Sequence, residues 1–289
     1  MKRGILLGAL FLMGCNDTTP KIDIIIKLPK KLSEVSGIQI QKSSDAIFVI
    51  EDSGNGNYLY EVGLNDKKQR KIAIEAENTD WEDLASDKDG NLYLGDFGNN
   101  GNKRQDLCIY KINASLLQEE TIKPDYKVSF YYPEQTAFPP SKKELLYDCE
   151  AFFELKGFFY LFTKNRSKDF DGTTLIYKIP NKEGNHPAQL LGRYKTGEDF
   201  NNSAITGAAI SPDGSRFALL SHSRIWLFSE FNGDDFLKGK IERLELDHYS
   251  QKEAVSFKDE NTLLIADEKD KSTGGNIYQF DLRNLKAKP

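Results

Sequence analysis

From residue 22 onward the chain alternates strand-length runs of apolar, β-branched and aromatic residues with polar turns rich in Gly, Asp, Asn and Ser, which predicts hairpins rather than helices. Five segments align at their starts. They begin Ser33-Glu34-Val35-Ser36-Gly37, Trp81-Glu82-Asp83-Leu84, Cys149-Glu150-Ala151-Phe152, Ile205-Thr206-Gly207-Ala208 and Lys252-Glu253-Ala254-Val255. Taken as anchors, Glu34, Glu82, Glu150, Thr206 and Glu253 each precede one strand-like run, a polar turn and a second run. The second runs, such as Ala46 to Ile50, Phe158 to Phe162 and Thr262 to Ala266, are almost continuously apolar, as strands covered on both faces should be. A third strand follows in every unit, and a fourth in all but the last: Lys71 to Ala76, Tyr126 to Tyr132, Gln189 to Lys195 and Lys240 to Asp247. The fifth unit has nothing strand-like after Leu282, but Ile22 to Leu28 at the other end of the chain is available to complete it.

Five four-strand units, with the N-terminal strand closing the ring, predict an all-β fold: a five-bladed β-propeller of four-stranded antiparallel blades over residues 22–285, followed by a short tail at 286–289. About 55 residues per unit exceeds the ~40–50 of common propeller repeats, so insertions are expected in loops such as Pro133 to Leu146. A two-sheet sandwich is the competing fold, yet it leaves five copies of one unit unexplained.

The start of the chain is different. Lys2 and Arg3 precede an apolar stretch from Gly4 to Met13, about ten residues and too short to span a bilayer. Leu12-Met13-Gly14-Cys15 resembles the bacterial lipoprotein signal. The resemblance implies removal of residues 1–14, acylation of Cys15, a linker at 15–21, and a lipid-anchored protein of the cell envelope, periplasmic or surface-exposed. Cys108 and Cys149 then lie in a compartment that permits disulfides. Their strand contexts favour two separate buried thiols, and a bridge is the alternative.

Composition narrows the chemistry. The 289 residues carry 39 Lys and Arg against 44 Asp and Glu, a net charge of −5, which argues against nucleic acid as the partner. Three Cys and three His leave too few soft ligands for a zinc or haem centre, so any metal would be held by oxygen. In a propeller the first strand of each blade lines the axial channel, so the five anchors converge near one mouth. Carboxylates brought together and desolvated repel one another unless protonated or neutralised. Ca²⁺, which accepts six to eight oxygens in loose geometry, is the expected cofactor.

Antiparallel pairing puts the ends of the second strands at the same mouth. These ends supply Asp52, Asp96, Lys103, Arg104, Lys164, Arg166, His222, Arg224 and Lys269. The basic residues among them, with His222, are expected to grip a small polar or phosphorylated ligand. Asp52 or Asp96 would position or deprotonate water if that ligand is hydrolysed. Asp87-Lys88-Asp89-Gly90-Asn91 looks like the start of a calcium loop but sits at a hairpin, where a turn is the expected role.

The anchor residues also resemble those of the calcium-activated nucleotidases, or soluble apyrases, which are five-bladed propellers with an axial Ca²⁺. The resemblance implies that Ser33, Glu34, Glu82, Glu150, Thr206 and Glu253 are calcium ligands, Thr206 standing where that family has Ser. It extends to Asp52, the Gly98 turn and Arg166, and implies a calcium-dependent phosphohydrolase. The bacterial SdiA-regulated propellers are similar through the same Glu-plus-small-residue starts. A monomer is expected, and a non-catalytic binding or scaffold propeller for glycan or protein, with a structural metal, is the alternative.

Overall fold

The structure is a computed structural model that describes residues 22–41, 44–63 and 69–284. The signal, Cys15, the linker and the tail lie outside the described residues.

Five mainly antiparallel sheets form a ring of five blades. From the axis outward, blade one is Val35–Gln41, Ala46–Glu51, Tyr58–Val62 and Gln69–Ile74. Blade two is Trp81–Ser86, Leu92–Asp96, Cys108–Ile112 and Tyr126–Tyr131. Blade three is Asp148–Leu155, Phe158–Lys164, Thr173–Pro180 and Gln189–Lys195. Blade four is Gly207–Ile210, Phe217–Leu220, Arg224–Ser229 and Lys240–Glu245. Blade five is Lys252–Asp259, Thr262–Asp267 and Asn276–Asp281, and its outermost strand is the N-terminal Asp23–Lys27, paired antiparallel to Asn276–Asp281. The expected ring closure is therefore present.

Two blades have a fifth strand that the repeat did not predict. Thr121–Ile122, from the third-to-fourth strand loop of blade two, adds in parallel to the outer edge of blade one. Gly184–Pro187, from the same loop of blade three, adds in parallel to the outer edge of blade two. Each insertion reaches back to cover the preceding blade's open edge, which would otherwise present unpaired backbone groups.

The core is divided into five apolar clusters, one at each blade interface. This explains the unbroken apolar second strands. Phe217 and Leu219 pack toward blade three while Ala218 and Leu220 pack toward blade five, so both strand faces are interior. A sandwich, with one core between two sheets, does not produce this division. The largest side chains, Trp81, Trp226, Tyr177 and a set of Phe, are fully buried at these interfaces, each burial stabilising by about 1.5–3 kcal/mol. Between blades three and four, Phe217 stacks on Phe228 with centroids 4.3 Å apart and planes at 11°. Cys108 and Cys149 are both buried and free.

Close approach at the axis requires small residues. A Cβ on Gly37 would lie 2.8 Å from the Leu84 backbone nitrogen and 3.0 Å from the Asp83 carbonyl carbon, both main-chain atoms of the adjacent blade. Gly37→Ala is expected to wedge blades one and two apart and to lower stability by about 1–3 kcal/mol in chemical denaturation. An unchanged midpoint would mean that the inner strands are free to separate.

Candidate functional site

The inner strands enter the ring through a repeated backbone irregularity. In four blades the register with the second strand slips by one residue, between Val35 and Gly37, Trp81 and Asp83, Cys149 and Ala151, and Lys252 and Ala254. The residues left over in these bulges are Ser36, Glu82, Glu150 and Glu253. In blade four Thr206 holds the equivalent place just before its strand, its N–H bonded to the Leu220 carbonyl. Bulges re-aim a side chain out of the pleat, here toward the mouth.

This corrects the sequence alignment in blade one, where the anchor is Ser36 rather than Glu34. Glu34 lies two residues earlier, where blades two and three carry Asp80 and Asp148. Two acidic tiers result: Glu82, Glu150 and Glu253 in the bulges, and Glu34, Asp80 and Asp148 just outside. The spacing Glu-x-Ser, Asp-x-Glu, Asp-x-Glu was the available signal for Asp80 and Asp148, which sequence reasoning missed. The hydroxyls at the anchor level are structural. Ser36 Oγ donates to the Trp81 carbonyl at 2.8 Å, and Thr206 Oγ1 donates to the Lys252 carbonyl at 2.6 Å, each tying one blade to the next.

One step below, Gly37, Ala151, Gly207 and Ala254 are small, and blade two alone contributes a charged side chain, Asp83. Wholly buried, its carboxylate accepts from the N–H groups of Leu84, Phe152 and Ala208, so it reaches blades three and four. Burial pushes its carboxyl well up despite these bonds. This layer divides the polar mouth from the opposite end of the channel.

In the mouth, the expected cation position is flanked by a lysine. Lys164, 5% exposed at the end of the second strand of blade three, places Nζ 3.0 Å from Glu150 and 3.8 Å from Glu253. Arg166 bonds Asp148 and Glu150 at 2.6 Å each. Burial acts to raise Glu150, but Lys164 and Arg166 outweigh it and hold that carboxyl below its usual range. Asp148, wholly buried beside it, is the partner pushed up. His222 Nε2 lies 3.0 Å from Glu253.

On the opposite side of the mouth, formed by blades five, one and two, Glu253 and Asp96 have basic partners, but Glu34, Asp52, Asp80, Glu82 and Glu268 are in no ion pair among the described residues. Burial, then Glu34 and Asp80, raise Asp52 to about 7. Burial, then Glu253, Asp52 and Glu34, raise Glu268 to about 8. Glu82 is pushed well up by burial, Glu150 and Asp80. Gly98 makes room for this crowding, since a Cβ there would fall 2.1 Å from Glu82 Oε1 and 2.5 Å from Asp80 Oδ2. Among the described residues, no three Asp, Glu, His or Cys side chains converge on one ion position.

The remaining predicted residues are placed as follows. Asp96, 2% exposed, accepts from the Asp80 N–H and from Arg104, which also bonds Asp106 and the Gly98 carbonyl; both are loop anchors. Lys103 is exposed on the same loop. Arg224 is held by Glu245 and Ser203 on blade four. Lys269 lies in a short hairpin, Lys269–Asp270 with Thr273–Gly274, and its N–H bonds the Ser33 carbonyl. Asn55 donates to both Glu34 and Asp52. The Asp87 loop closes on its own backbone and on Asn91 and Tyr93, a turn as expected.

Comparison with known proteins identifies a fold rather than a family, the five-bladed β-propeller. No protein-family model matches the chain, and no curated protein does. Among solved structures, the PQQ-bound aldose sugar dehydrogenase from Streptomyces coelicolor is similar over 91% of this chain and 98% of its own, with a TM-score of 0.52 and 9% identity. A catalytically inactive virginiamycin B lyase from Staphylococcus aureus, with quinupristin, gives 0.43 at 14% identity, covering 88% of this chain and 68% of that one. A chain of a nidogen/laminin complex gives 0.48 at 13%, covering 85% and 84%. At such identities the likeness concerns the fold alone. Among the described residues no helix is long and apolar enough to cross a membrane.

Proposed function

We propose that this protein is a binding propeller whose axial mouth takes a hard divalent cation, Ca²⁺ in the first instance, on the side formed by blades five, one and two. The observation that carries the reading is the uneven neutralisation of the mouth. Glu150 and Asp148 have Lys164 and Arg166, whereas Glu34, Asp52, Asp80, Glu82 and Glu268 have no ion-pair partner among the described residues. These donors are all oxygens on several separate loops, which suits the loose geometry of Ca²⁺. Sequence reasoning assigned the grip on a phosphorylated ligand to the basic residues. Lys164, Arg166, Arg104 and Arg224 are each engaged by carboxylates, so an anionic ligand would be drawn to the mouth through the cation rather than to them. Hydrolysis of such a ligand is the second reading, favoured by Asp52, whose carboxyl at about 7 suits proton transfer near neutral pH.

The pH dependence has a definite sign. Asp52 and Glu268 are raised, so the folded protein retains protons that the unfolded chain has released. The stability this contributes is present at low pH and is lost as pH rises through about 7 and about 8. Metal-free protein is therefore expected to melt at lower temperature at about pH 9 than at about pH 5, and Ca²⁺ is expected to restore the loss. Calorimetry should show Ca²⁺ binding above about pH 8 that weakens at least about tenfold near pH 6, and that weakens likewise in Asp52→Asn and Glu268→Gln. No heat of binding at any pH would remove the cation reading. Phosphate release from a nucleotide panel, lost in Asp52→Asn, would select the enzyme.

A further inference from the structure

The N-terminal strand crosses blade five in one fixed direction. Asp23–Lys27 pairs antiparallel with Asn276–Asp281, Asp23 opposite Gln279 and Lys27 opposite Asn276. Asn276 stands at the mouth end of that blade, where its N–H bonds Asp267, the last residue of the second strand, at 2.8 Å. Asp281 pairs with Thr262 at the other end, and the Leu282 N–H that follows bonds the carbonyl of Asn261, in the turn between the first and second strands. The chain therefore enters the blade at the end remote from the mouth and runs toward it. Beyond the strand it is already at the rim: the Leu28 N–H bonds the Gly275 carbonyl, and the Ser33 carbonyl accepts from the Lys269 N–H.

This entry point is part of the fold and not a free arm. Ile25, Ile26 and Leu28 pack on the apolar cluster between blades five and one, and Ile22 packs on the cluster between blades four and five that holds Leu282. Register is strongly specified wherever one face of a strand is buried, so the direction cannot reverse without opening the ring. The preceding chain is thus joined to the propeller on the face opposite the mouth.

Reach adds to direction. From Cys15 to Ile22 is seven residues, at most about 25 Å of extended chain. The first strand of blade five, Lys252–Asp259, has eight residues, so the blade is about as tall as that reach. A tether fixed at Cys15 would have to lie fully extended along the outside of the blade before the mouth could meet the surface that holds it.

We propose that the protein is carried on a lipid surface with the face opposite the mouth turned to the bilayer and the acidic mouth turned to the water. This rests on acylation of Cys15, which Leu12-Met13-Gly14-Cys15 implies. A ligand then reaches the mouth from solution, and lipid headgroups do not compete for it.

The test uses the full chain, processed in a bacterial host and inserted into preformed phosphatidylcholine vesicles that carry acceptor-labelled headgroups. Cys108 and Cys149 are buried and free, so one added surface thiol can be labelled selectively. Lys156→Cys places a donor dye on the turn opposite the mouth, and Lys103→Cys places it on a mouth loop; both positions are exposed. Energy transfer is expected to lower the emission at position 156 at least about twofold more than at position 103, which lies about a strand length farther from the lipid. Equal quenching at the two positions, or stronger quenching at 103, overturns the orientation. Mass spectrometry of the N-terminal peptide reads the acyl chains on Cys15 in the same preparation. Acylated protein with the reversed pattern sinks the orientation alone, whereas an unacylated Cys15, with no flotation on vesicles, sinks the anchor on which it rests.

Discussion

Asp83→Ala is expected to be among the most destabilising substitutions on the ring axis, lowering the free energy of unfolding by about 3 kcal/mol or more. The carboxylate is wholly buried and receives N–H groups from Leu84, Phe152 and Ala208. Removing it strands donors on the inner strands of blades three and four, at about 1–3 kcal/mol for each buried group left unsatisfied. Residues at the same level in the other blades are Gly or Ala, so no neighbouring side chain can take its place. Asp83→Asn keeps one acceptor oxygen but turns an amide donor toward other donors, and an intermediate loss is expected. Equilibrium denaturation checks this: an Ala variant within about 0.5 kcal/mol of the parent would mean that water fills the gap and that the layer does not hold the blades together.

Lys164→Met should produce a loss of comparable size with a distinct pH signature. Glu150 is 3% exposed and sits 3.0 Å from the ammonium, so removing that charge leaves a buried carboxylate supported by Arg166 alone. Breaking a buried pair from one side costs about 3–5 kcal/mol. Glu150 is held below its usual range in the parent, so its contribution is present above the unfolded pKa and is lost as pH falls. The difference between parent and variant should therefore be largest near pH 8 and shrink as pH falls below the ordinary carboxylate range and Glu150 accepts its proton. A loss independent of pH would reassign Lys164 to packing. Loss of the ammonium also removes the internal cation beside Glu253, so the variant should bind Ca²⁺ more tightly than the parent, and unchanged affinity would separate Lys164 from the cation site.

The blades were legible because each strand reports its own surroundings. Alternate residues of a second strand enter two different blade interfaces, so a run such as Phe217-Ala218-Leu219-Leu220 is apolar throughout wherever the neighbouring blades stand. Hairpin turns and the unpaired N-terminal strand then specify five units and a closed ring. The two added edge strands were hidden because Thr121–Ile122 and Gly184–Pro187 are too short to show a period. The anchor of blade one was misplaced because the acid was aligned by identity, whereas the bulge selects a position by backbone geometry and seats Ser36 there.

The electrostatics of the mouth belonged to the tertiary structure. The chain contained the acids and bases, and the repeat brought many of them to one face. Whether Lys164 met a ligand or Glu150, and whether Asp96 faced water or Arg104, depended on contacts of a few ångströms between separate loops and strands. Asp83 bonds a backbone group 69 residues away, in another blade. Local patterning encodes which residues become strands, because burial on a pleated face repeats every second residue. Charge pairing falls off within ångströms, so only the closed ring decided which carboxylates were neutralised and which, among the described residues, were left without an ion-pair partner.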